Sequence, residues 1–90
     1  MPNKQTILHR TPLRSTPDVR AWAHEAFDLK LITWRQLTAI ALLASKHLPC
    51  DAVLVQRTPK STQYLTCITP AGDFEYRIGP RAEMYGAKPI

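Results

Sequence analysis

The segment ITWRQLTAIALLASKHL, Ile32 to Leu48, limits the fold more than any other part of the chain. Thr33 followed three residues later by Gln36 is a capping box: the hydroxyl accepts from the backbone N–H of residue 36, and the amide reaches back to that of residue 33. Ile32 and Leu37 stand where they close a hydrophobic staple across the same cap. Lys46 and His47 put positive charge beside the terminal carbonyls, and Pro49 ends the helix. Trp34, Leu37, Ile40, Ala41, Ala44 and Leu48 fall on one face and are expected to form its core side. Truncating Trp34 to alanine is therefore expected to cost roughly 3–5 kcal/mol. Leu42 and Leu43 fall off that stripe, with Leu42 among Arg35, Thr38 and Lys46. A helix apolar beyond one stripe either packs on two sides or offers a patch to a partner.

A second amphipathic helix precedes it. Thr16-Pro17-Asp18 reads as an N-terminus, with Thr16 as the cap, Pro17 in the first turn and Asp18 at the positive end of the dipole. Val19, Trp22, Ala23, Ala26 and Phe27 follow at helical spacing and make one apolar stripe, opposite Arg20, His24, Glu25 and Asp28. The link through Leu29–Leu31 is short, so the two helices are neighbours in space.

After Pro49 the period changes from helical to alternating. Ala52–Arg57, Tyr64–Thr69 and Phe74–Ile78 read as strands joined by turns at Thr58–Thr62 and Pro70–Asp73. A four-residue turn at 70–73 pairs Thr69 with Phe74, Cys67 with Tyr76 and Leu65 with Ile78. If Val55 pairs with Leu65, then Val53, Val55, Leu65, Cys67, Phe74, Tyr76 and Ile78 face the helices. Leu54, Gln56, Tyr64, Thr66, Ile68, Glu75 and Arg77 then face outward. Thr6–Arg10 can form an edge strand before Pro12. The expected architecture is α+β: two helices on one face of a three- to four-stranded antiparallel sheet, in the order (β)-α-α-β-β-β. Residues 1–15 are expected to be a basic arm, 16–78 the single domain, and 79–90 an irregular tail without periodicity.

Ninety residues suit one modest core. The net charge of +5 invites a nucleic-acid reading, but Lys4, Arg10 and Arg14 put most of the excess in the N-terminal arm. No long apolar run follows the opening charges, so no leader or membrane span is expected, and the cytoplasm is the expected compartment. Cys50 and Cys67 form no CxxC and are expected to stay reduced there.

Catalytic and metal motifs are sparse. His24 and Asp28 are within reach on one helix face, yet nothing in the sequence supplies a nucleophile beside them. His47 and Cys50 make one close ligand pair where structural zinc sites use two. Three glycines do not make a phosphate loop. No cofactor or metal is expected. The function that follows is non-enzymatic: a protein that regulates or inhibits a larger protein by direct contact through Leu54, Gln56, Tyr64, Thr66, Ile68, Arg77 and Leu42. One alternative is a DNA- or RNA-binding regulator using Lys4, Arg10, Arg14 and Arg57, with Tyr64 and Arg77 as a stacking platform. The chain is expected to be a monomer or a homodimer. The order of elements also resembles that of small bacterial toxin ribonucleases of the RelE type, a resemblance that implies RNA cleavage as a second alternative and assigns no residues.

Overall fold

A computed structural model of the protein describes residues 6–56 and 60–89, with side chains for 10–56 and 60–83. Strand β1 (Thr6–Leu13) leads into helices α1 (Thr16–Asp28) and α2 (Trp34–Ser45), followed by β2 (Cys50–Gln56), β3 (Gln63–Thr69), β4 (Gly72–Ile78) and β5 (Met84–Pro89). The strands form one five-stranded sheet in the order β1-β2-β3-β4-β5, and every neighbouring pair is antiparallel. The fold is α+β, with the helical pair inserted between the first two strands. Among the described residues no helix is long and apolar enough to cross a membrane.

The capping box at α2 forms as expected. Gln36 N–H donates to Thr33 Oγ1 at 3.1 Å, and Thr33 N–H donates to Gln36 Oε1 at 3.0 Å. Gln36 does more than cap: it is fully buried, and its Nε2 donates to Ser61 O at 2.5 Å and Ile78 O at 3.3 Å. One side chain thus starts α2 and ties it to the loop before β3 and to the end of β4. At α1 the cap is Ser15, not Thr16, and its side chain makes no capping bond. Asp18 instead accepts from Arg14 N–H at 3.0 Å, placing its charge at the helix N-terminus. The helix closes with Leu31 N–H on Ala26 O and Lys30 N–H on Phe27 O, a Schellman pattern with Lys30 in the left-handed region at φ 62°.

Val19, Trp22, Ala23 and Ala26 of α1 and Leu37, Ile40, Leu43 and Ala44 of α2 pack onto alternate strand residues in one core. The strand contribution comes from Leu13, Cys50, Ala52, Leu54, Leu65, Cys67, Tyr76 and Ile78. The sheet departs from the expected arrangement in three ways. The β3–β4 turn is tighter: Thr69 pairs with Gly72, Cys67 with Phe74 and Leu65 with Tyr76. That even-numbered slip leaves every side chain on its expected face. Gly72 sits at φ 136°, and Thr69 Oγ1 accepts from Ala71 N–H and donates to Gly72 O, which holds the turn.

The β2–β3 register differs by one residue: Leu54 pairs with Leu65, and Val55 with Tyr64. An odd slip reverses a whole strand. Leu54 and Gln56, expected to face a partner, are buried, while Val53 and Val55 turn to the outer face. The buried end of β2 is polar because Gln63, directly across from Gln56, donates to its Oε1 at 3.0 Å.

The third departure is at the termini. β1 continues through Pro12 to Leu13 and belongs to the sheet, and Met84–Pro89, expected to be irregular, forms β5 along β4. An edge strand tolerates proline because its outer N–H groups need no partner.

Candidate functional site

The register assembles three rows across the outer face of the sheet. Pro12, Asp51, Ile68 and Asp73 make one; Val53, Thr66 and Glu75 make the next; Val55, Tyr64 and Arg77 make the third. Apolar and aromatic groups therefore sit on the central strands, and charges line β4. On the β1 side Arg10 Nε donates to Asp51 Oδ2 at 2.7 Å. Both helices pack on the opposite face, and no element among the described residues covers this one. Val53, Val55, Tyr64, Thr66 and Ile68 are only half-buried as a result.

Of the residues expected to meet a partner, Tyr64, Thr66, Ile68 and Arg77 lie together here. Leu54 and Gln56 do not. Val53 and Val55 take their place, and the sequence could not show this, because Ala-Val-Leu-Val is apolar in both phases. Leu42 is 62% exposed on α2, on the other side of the molecule. Lys4 and Arg57 lie outside the described residues. Arg10 and Arg14 do come together at a cleft of about 410 Å³ beside Cys50 and Ile68, although the Arg10 charge is already matched by Asp51.

Among the described residues, His24 stands apart from the other groups that could carry acid–base chemistry, whereas His47, Tyr76, Cys67 and Cys50 adjoin one another. His24 lies against Trp34 on the helical side, whereas Arg77 is on the outer sheet face. His47 stacks on Phe74 with ring centroids 4.6 Å apart and shares a hydrogen bond with the Tyr76 hydroxyl. Cys50 and Cys67 lie on adjacent strands as free, buried thiols. Burial pushes the Cys67 thiol up to about 12 and raises Cys50 and Tyr76 as well. A nucleophilic cysteine needs the reverse shift, so this pair behaves as core. Among the described residues no group of three or more His, Cys, Asp or Glu is arranged to hold a metal ion.

The thiol shift has a measurable consequence. A buried acid with a raised pKa favours folding only while protonated, so its contribution is complete below the ordinary thiol value of 9.0 and is lost toward about 12. Urea unfolding at stepped pH is expected to show stability falling as the pH rises above 9, with Cys67 contributing to the slope. Cys67→Ala should flatten that slope. In the native protein at pH 8 neither thiol should react with a disulfide reagent, and both should react in denaturant.

Compared with models of known protein families, with curated proteins and with solved structures, the chain matches none.

Proposed function

We propose that the protein acts by contact: it binds a larger protein through the outer face of its sheet and regulates or inhibits it, without catalysis of its own. The observation that carries this reading is the uncovered centre of Val53, Val55, Tyr64 and Ile68, rimmed by Arg10, Asp51, Asp73, Glu75 and Arg77. An apolar middle with a charged margin is how protein interfaces are built. The cytoplasm suits it, because there Cys50 and Cys67 stay as thiols.

The facing of Tyr64 and Arg77 favours the nucleic-acid alternative, since an aromatic beside a cation can stack a base. Asp73 and Glu75 on the same strand weigh against it, because a phosphate backbone would meet two carboxylates.

Affinity capture from the native host with wild type and Tyr64→Ala separates these readings. Tyr64→Ala should fold normally, losing about 1 kcal/mol or less. It should also lose a protein that the wild type retains. If the two retain the same proteins, or Tyr64→Ala unfolds, the outer face is not the binding surface. Retention of RNA or DNA on filters, falling steeply between about 50 and 200 mM salt, would transfer the proposal to nucleic acid.

A further inference from the structure

The geometry points to the groove between α1 and α2 as a second docking site, whose occupant is an acidic amphipathic helix of another protein. The groove encloses about 350 Å³, with Val19, Leu37 and Ala41 as its floor and Leu42 and His24 on its walls. The large hydrophobic side chains left most exposed among the described residues are Leu29 at 58%, Trp34 at 58% and Leu42 at 62%, all in the helical layer.

Trp34, Thr38 and Leu42 recur every four residues and form a ridge along α2. Trp34 stands edge-on to Phe27 and His24, at 5.4 and 6.2 Å between ring centroids, one turn before Thr38 on the same ridge. Ala41 and Ser45 are small, which leaves room between the two helices for side chains entering from outside.

Charge selects the occupant. Arg20 lines the groove on α1. Arg35 and Lys46 are exposed just beyond Leu42 on the outer side of α2, seven and four residues from it, so they flank the groove without lining it. The carboxylates of α1 are turned elsewhere: Asp18 and Glu25 line a separate cleft toward β1. Only Asp28 follows His24 on the groove side, at its far end. A helix entering with leucines at i, i+3, i+4 and i+7 and glutamates along its flanks would bury the apolar floor and meet cations on both sides. A membrane surface would reach the ridge but leave the concave floor unfilled, and a second copy of this chain would bring like charges together. The groove is on the opposite side of the molecule from the outer sheet face and does not depend on the function proposed for that face.

The test uses a synthetic peptide of about 18 residues, five helical turns, with that leucine spacing and glutamate flanks. A twin peptide carries lysine in place of every glutamate. Calorimetric titration, with Trp34 fluorescence as a second readout, should show the acidic peptide binding at least about tenfold more tightly than its twin. Arg20→Glu with Arg35→Glu should reverse that preference, Leu42→Glu should abolish binding, and Tyr64→Ala should change nothing. Equal affinity for the twins, or no binding of the acidic peptide, would overturn the assignment. So would a dimer in sedimentation that Leu42→Glu dissociates, or binding of anionic vesicles that the acidic peptide does not displace.

Discussion

Trp22→Ala will destabilise the protein by about 3–5 kcal/mol, and Trp34→Ala by about 1 kcal/mol or less. Trp22 is 4% exposed within the α1 stripe and packs into the core, so its removal leaves a cavity the size of an indole. Trp34 is 58% exposed and touches Phe27 and His24 edge-on, an arrangement worth a fraction of what burial is worth. Urea unfolding of the two variants, compared at a common m-value, decides the matter. A loss at Trp34 equal to that at Trp22 would mean that Trp34 is core and that the helices are rotated from the positions described.

The two tryptophans also show how far a helical wheel can be trusted. Val19, Trp22, Ala23 and Ala26 are buried as their spacing requires, and α2 starts at the cap that Thr33 and Gln36 announce. On α2 the wheel is correct for Leu37, Ile40 and Ala44 but misplaces both flanks of the stripe. Leu43, off the expected stripe, is 3% exposed, while Trp34 is outside. Trp34 is the first residue of the helix, and side chains there lean back toward the N-terminus, past the sheet and onto the end of α1. Its place on the inner arc goes to Gln36, whose amide finds the Ser61 and Ile78 carbonyls. A polar residue can occupy a core position once its hydrogen bonds are met, but those partners are 25 and 42 residues away and no local pattern reveals them. The same limit hides β5. Met84–Pro89 has no alternation and contains Gly86 and Pro89, yet its backbone pairs with β4. Pairing at a sheet edge is a property of the neighbouring strand, which local composition does not record.

The larger consequence concerns β2, where one residue of register decides what is core and what is surface. Leu54→Asp is expected to cost about 4 kcal/mol or more, a large share of the roughly 5–15 kcal/mol that holds a domain of this size together. Leu54 is 1% exposed, between Leu8 on β1 and Leu65 on β3 in the pairing, and the core around it holds no Lys or Arg among the described residues. Val55→Asp, one residue on, should cost about 1 kcal/mol, because it places its charge on the open face opposite Tyr64 and in the row that ends at Arg77. In the opposite register the two results exchange: Val55→Asp would unfold the protein and Leu54→Asp would be tolerated. Thermal melts followed by circular dichroism separate the cases without knowledge of any partner. If Val55→Asp proves the more damaging, Val53 and Val55 return to the core, and the apolar centre on which the binding proposal stands is reduced to Tyr64 and Ile68.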